Sequence, residues 1–462
     1  MDERRRFLSR RNVLRGAVST AGLGLTGCGS GGPSFPKLIP TKYSDRPAMM
    51  AIGDSLYQGV RSLTFVPGMA SGSPPAQVAA TLGLPFTAPN PPRPILFDLE
   101  AIYRSPFPFI AAPFDLGRRV LDNSLRWRLN RIWSEHEAFD NVAIGSAEIA
   151  SLYTDTYENH WQKFLDRAVE PQVNLMPYKF IAEMWYSLNV CFTLNPRHRD
   201  DQRKTTQIDQ VSDRKPRLLL VNIGSNEGLF SAAFQGDLKT GADTLKVSLT
   251  NMDDLARRLA ELPREVETIA FNSLIRPRAA TNLMPADGVT RLYPGNDYFD
   301  AYGPWLFSDK QPIRGADLKE FDEGVKAQND QVRSMLQMRL GSRLVFVDLY
   351  AKTTEYDGKH YQDRVLKVGS RSLKNLPLSG TSADMGGGLT GLDNMHPSIP
   401  GYAIIADAVL EALGKSVRTD KQAAFNKDSL LNDLPPFLAQ RHVEVLGLVD
   451  TIRRFGSSGF LS

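Results

Sequence analysis

The chain has 462 residues, 42% hydrophobic and 23% charged, with a mean hydropathy of −0.27, the composition of an ordinary globular protein; collagen-like and wholly disordered chains are excluded. Its formal charge of +4 gives no steer toward nucleic acid: residues 1–27 hold six arginines against Asp2 and Glu3, and the remainder carries 49 basic (55 less six) and 49 acidic (51 less two) residues. No stretch beyond the N-terminus approaches the roughly 20 apolar residues of a membrane span, and on size alone two or three domains are expected.

The first element is an address. "SRRNVLR" (9–15), with Arg10 and Arg11 adjacent, resembles a twin-arginine export signal. The short, mildly apolar "GAVSTAGLGLTG" that follows fits the middle of a signal peptide. "LTGC" (25–28) resembles a bacterial lipobox, which implies cleavage before Cys28 and its acylation on sulfur. Several acyl chains on one cysteine imply firm anchoring. The competing reading is a basic amphipathic helix of the mature protein. The expected organisation is a signal peptide at 1–27, a Pro-stiffened flexible tether at 28–47, a main domain at 48–415 and a helical extension at 416–462. Gly29 leaves the choice of inner or outer membrane open.

From residue 48 strands alternate with helices. Strands are expected at "AMMAI" (48–52), "NVAIG" (141–145), "RLLLVNIG" (217–224), "VETIAFNSLI" (266–275) and "RLVFVDLY" (343–350), as continuous apolar runs suited to a buried parallel sheet. Helices are expected at 74–84, at 250–263 with Thr250 or Asn251 as cap, at 317–341 and at 401–414, several closed by glycine. This alternation argues for a doubly wound, flavodoxin-like α/β/α fold around a mainly parallel five-stranded sheet. Three stretches are too long for ordinary loops and read as insertions capping the sheet edge: 85–140, 150–215 and 276–316. The second comprises a helical aromatic segment followed by a charged loop, 195–215. Cys191 reads as a buried apolar residue, and no Cys/His cluster has zinc spacing.

"AIGDSLYQGV" (51–60) places Ser55 just after the first strand, at the edge where ligands bind in such sheets. A serine hydroxyl needs a base, and the base needs an orienting acceptor. Of six histidines, His396 lies in "GLDNMHPSIPGY", three residues after Asp393, so one tight loop can join them. The developing oxyanion needs donors. Asn226 in "NIGSNE" offers a neutral amide, and the loop after "NVAI" offers a backbone N–H from Gly145 or Ser146. The other histidines read blandly: His198 and His360 as solvated loop residues, His136, His160 and His442 as packing or surface residues.

Taken together these blocks resemble the GDSL, or SGNH, hydrolase family. "GDSL" (53–56) matches its first block and implies Ser55 as nucleophile. Gly224-Ser225-Asn226-Glu227 matches its third, with Glu227 in place of the usual Asp, and implies Asn226 as oxyanion donor. Asp393-x-x-His396 matches its last and implies acid and base. In the second block the family's glycine falls on Ser146, with Gly145 just before it. The resemblance implies a serine esterase that uses no metal or cofactor. Its partners would be an ester-bearing small molecule, a lipid or an acylated polysaccharide, with the membrane reached through the lipid anchor. The aromatic insertion 161–193 could line an acyl pocket or be plain core, and the polar 276–316 would suit an acetylated carbohydrate or cell-wall substrate. A lipoprotein that keeps this fold as a binding or scaffold module is the rival reading.

Overall fold

The strand β1 (Met49–Gly53) is buried along its whole length, as its unbroken apolar run requires. It lies in a computed structural model that describes residues 46–98, 112–130, 132–169, 178–286, 292–304, 311–368, 371–376, 388–391 and 393–414. The expectations placed on Arg10, Arg11, Cys28, His442 and the C-terminal extension lie outside the described residues.

β1 pairs in parallel with β2 (Leu218–Asn222), and β2 pairs in parallel with β3 (Thr268–Asn272). Between β3 and the last strand of this sheet the chain forms a small antiparallel sheet, β4 (Leu283–Pro285), β5 (Ala301–Pro304) and β6 (Ile313–Arg314), inside the 276–316 insertion. β7 (Leu344–Val347) then closes the main sheet against β3. Successive side chains alternate between two apolar layers. Met50, Ile52, Leu219, Val221, Ile269 and Phe271 pack against helices Tyr178–Leu194, Gln207–Arg214, Leu238–Glu261 and Gly315–Leu340. Met49, Ala51, Leu220, Ala270 and Val347 pack against helices Pro74–Leu82 and Ile399–Ala412. The result is α/β with helices on both faces of a parallel sheet.

The sheet has four strands among the described residues, and the fifth expected strand, 141–145, is a correction. That segment starts as a parallel partner of β1: Ala51 N–H donates to Asp140 O, Val142 N–H to Ala51 O and Ile144 N–H to Gly53 O, each at 2.9 Å. The next rung needs the Gly53 N–H, which instead donates to the buried Gln207 Oε1 at 2.8 Å. The ladder is thereby reduced to a single bridge, Ala51–Asn141. In chain order the edge segment and the four strands still lie as 2-1-3-4-5, and in such sheets the crevice beside the first strand is where ligands sit.

Gln207 also overturns the reading of 195–215 as a charged loop. A capping box of Thr206 and Asp209 starts helix Gln207–Arg214, in which Asp209 is exposed and Arg214 is buried on Asp140. The helix expected to start at Thr250 or Asn251 begins at Leu238. Asp237 caps it, and Leu245, Ser248, Met252, Leu255 and Leu259 keep one buried face running through. The aromatics of 161–193 pack among themselves and with Trp127 and Trp133 in a separate core. His198 and His360 are not solvated. His198 bonds the Tyr157 hydroxyl at 2.6 Å and sits between Trp133 and Trp161. His360 is 1% exposed, its Nδ1 donating to Gly295 O and its Nε2 accepting from Tyr302, both at 3.0 Å. Burial pushes it down to about 4, so it is neutral at pH 7.

Candidate active site

The ends of three strands, the loop after the 141–145 edge segment and the loop ahead of helix Ile399–Ala412 supply the site. β1 ends at Gly53 with φ +140°, and a Cβ there would stand 1.9 Å from Asn222 O, so only glycine lets the strand end lie against β2. Asp54 turns the chain into the one-turn helix Ser55–Gln58, its Oδ1 accepting from Leu56 N–H at 3.1 Å. The same oxygen accepts from Asn222 Nδ2 at 2.8 Å, and Asn222 Oδ1 accepts from Asn272 Nδ2 at 2.9 Å. A side-chain relay thus crosses the carboxyl ends of β1, β2 and β3. Asp54 is fully buried, which pushes its carboxyl up to about 6, against donors and the nearby His396 ring that pull it down.

His396 and Asp393 share the loop ahead of helix Ile399–Ala412. Gly391 N–H donates to His396 O at 2.8 Å, which folds the loop so that the two side chains meet. Asp393 Oδ2 accepts from His396 Nδ1 at 2.6 Å, and its Oδ1 accepts from the N–H groups of Met395 and His396 at 3.0 and 2.9 Å. Burial raises the Asp393 carboxyl, but the neighbouring His396 ring and these donors outweigh it and hold it below the ordinary range, so it is ionised. The bond to Nδ1 fixes the tautomer and leaves Nε2 pointing away from the acid.

The loop is docked on the segment that follows Ser55. Leu63 N–H donates to Asp393 Oδ2 at 2.7 Å, and the Tyr402 hydroxyl donates to Val60 O. The 276–316 insertion holds the other side, Thr281 Oγ1 donating to Asn394 O at 2.6 Å. His396 comes close enough to Asp54, the neighbour of Ser55, to bias its ionisation. Ser55 and His396 are 9% and 5% exposed. Among the described residues neither Ser55 Oγ nor His396 Nε2 has a hydrogen-bond partner, and neither atom is sealed from solvent.

The two candidate backbone donors separate on geometry. Gly145 N–H donates to Gln58 Oε1 at 2.8 Å and has nothing left to give a ligand. Ser146 is exposed, has φ +65°, and its N–H meets no acceptor among the described residues. Gln58 is held in turn by Asn189 and Thr193 of the insertion helix, with bonds of 2.8 Å in both directions to Asn189 and 3.2 Å to Thr193. Asn226 donates one amide hydrogen to Ala147 O at 2.8 Å, which leaves the second. Glu227 accepts the Ile149 N–H, so Asn226 and Glu227 together grip the 146–149 loop. Burial pushes the Glu227 carboxyl up to about 8, with Glu148 and Asp54 adding to the effect.

Sequence reasoning did not single out Gln58, Asn222, Asn272, Gln207 or Leu63. Two carried a signal: the runs "LLLVN" and "TIAFN" each end an apolar strand on asparagine. Among the described residues no group of three or more His, Cys, Asp or Glu is arranged to hold a metal ion. No family model, curated protein or solved structure matches the chain.

Proposed function

We propose that the chain is a serine hydrolase of carboxylic esters, with Ser55 as nucleophile, His396 as base and Asp393 as its orienting acid. The observation that carries this is the ionised Asp393 on His396 Nδ1 at 2.6 Å, in a loop docked on the segment that follows Ser55. Ser55 Oγ attacks the ester carbonyl while His396 Nε2 takes its proton, and Asp393 stabilises the imidazolium. The N–H groups of Ser55 and Ser146 and the second amide hydrogen of Asn226 receive the oxyanion. Each such donor is worth about 10²–10³ in kcat. Collapse expels the alcohol, protonated by His396, and water releases the acyl group by the same route. The aromatic insertion is packed as core, which favours short acyl groups over long lipid chains, and acetylated carbohydrate stays the leading alternative substrate. The lipobox-like Cys28 and the Arg10-Arg11 pair support a lipid-anchored protein exported to the periplasm or cell surface.

One observation favours a second reading, a binding module without catalysis: the Ser55 hydroxyl makes no hydrogen bond to His396. Ligand-free sites often have this bond long, and it tightens with substrate. A fluorophosphonate probe decides. A working site is labelled in the wild type and not in Ser55→Ala, and hydrolysis of p-nitrophenyl acetate is lost with the label. An unlabelled wild type, or a Ser55→Ala variant with the wild-type rate, removes the proposal.

A further inference from the structure

Two residues after the Ser55–Gln58 helix the chain makes a tight turn. Arg61 and Thr64 exchange both backbone hydrogen bonds, at 3.1 and 2.9 Å. The two residues between them, Ser62 and Leu63, both have positive φ, 55° and 52°. This turn type wants asparagine or glycine at its centre, and a left-handed conformation costs other residues roughly 1–2 kcal/mol each. Such strain persists only where the surroundings over-determine it. Apolar packing does not explain it, because Leu63 is half-buried and belongs to none of the apolar core clusters.

The backbone does explain it. In a two-residue turn the central N–H groups are outside the turn's own bonds, and that of Leu63 is aimed at Asp393 Oδ2, 2.7 Å away and 330 residues on in sequence. Oδ2 has two lone pairs: His396 Nδ1 uses one and Leu63 N–H the other. Oδ1 is occupied by Met395 and His396 N–H. The carboxylate is therefore fixed against rotation on both oxygens. Three of its four donors come from its own loop, and only Leu63 comes from the nucleophile's segment. Gly391 is packed against the same turn, where a Cβ would meet Arg61 Cγ at 2.8 Å and Ser62 Oγ at 3.0 Å.

We infer that the Arg61–Thr64 turn is a positioning device for the acid: its Leu63 N–H ties Asp393, and through it the His396 ring, to the segment that carries Ser55. This rests on the serine-hydrolase reading above. The turn stores strain so that the acid–base pair and the nucleophile keep one relative geometry.

The direct test replaces Leu63 in the full chain by its α-hydroxy acid, which turns the amide into an ester and removes only the N–H. Loss of a donor to a charged group predicts a fall in kcat for p-nitrophenyl acetate of about 10- to 100-fold, with KM unchanged. Leu63→Ala keeps the N–H and should retain at least about fivefold more kcat than the ester chain. An ester chain with wild-type kcat, a change in KM alone, or an equal loss in Leu63→Ala overturns the inference. A wild-type rate that survives Ser55→Ala overturns both this inference and the reading beneath it. A Ser55-dependent rate that the ester leaves intact overturns this inference alone. Where the ester chain does not fold, the amide proton of Leu63 reads the same bond in selectively labelled protein. It should resonate downfield in the wild type and move upfield in Asp393→Asn, and an unmoved signal overturns the inference.

Discussion

Glu227 gives the sharpest test of the site's electrostatics. Glu227 is 4% exposed, one carboxyl oxygen takes the Ile149 N–H, and Oε2 has no partner among the described residues. Burial first, then Glu148 and Asp54, push it up to about 8 from an ordinary 4.5, while the Ile149 N–H pulls the other way. The folded chain therefore binds this proton more tightly than the unfolded chain. Between 4.5 and about 8 the folded state holds more protons, so stability falls as pH rises. The stabilisation from this group is complete below 4.5 and lost once pH passes about 8. That window corresponds to about 5 kcal/mol, and the part between pH 5 and pH 8 to about 3 kcal/mol. Glu227→Gln keeps a carbonyl for Ile149 N–H and cannot ionise. Its stability relative to the wild type should rise by about 3 kcal/mol from pH 5 to pH 8 and level off above that. Urea unfolding of both chains at pH 5, 6.5, 8 and 9 measures the difference, in which the titration of every other group largely cancels. A difference that stays flat, or falls with pH, refutes the assignment of a protonated, buried Glu227.

Gly53→Ala puts a Cβ 1.9 Å from Asn222 O at φ +140°, and should cost about 3 kcal/mol or more in urea unfolding; a loss under about 1 kcal/mol contradicts the close approach of β1 and β2. Gln58→Leu strips partners from Gly145 N–H, Asn189 and Thr193, and is expected to cost about 3 kcal/mol, read in the same assay. Asp393→Asn should lower kcat by about 10³- to 10⁴-fold with little change in KM, because the amide favours the wrong imidazole tautomer; near-wild-type turnover of p-nitrophenyl acetate would exclude Asp393 as the orienting acid.

The parts of the fold that could be read from the sequence are those in which a segment's burial is decided by its own composition. "LLLVN" and "TIAFN" have no polar face, so they can lie only inside a covered sheet, and that is where β2 and β3 lie. "NVAIG" reads the same way, yet it keeps only one bridge to β1. What ends its pairing is the amide of Gln207, 154 residues from the Gly53 N–H that it captures. A single polar side chain in a charged stretch gives no local sign of that competition. His360 fails for the same reason: its neighbours in sequence are polar, while those in space, Tyr302 and Gly295, come from the insertion.

The candidate site divides along the same line. Asp393 and His396 are three residues apart, so a local loop is enough to join them, and the spacing alone suggested the bond. The choice between Gly145 and Ser146 needed Gln58, whose glutamine oxygen removes one of two adjacent N–H groups. Side chains of that kind leave at least a residue type to notice. Leu63 leaves none, since its contribution is a backbone N–H that every residue but proline possesses. What marks it is conformational, two successive non-glycine residues at positive φ, and a sequence does not display φ. Motif reading is therefore suited to finding the groups proposed to react and poorly suited to finding those that hold them in register. In this chain the second kind includes Gln58, Gln207, Asn222, Glu227 and the Arg61–Thr64 turn, each bonded to a segment at least 50 residues away in sequence.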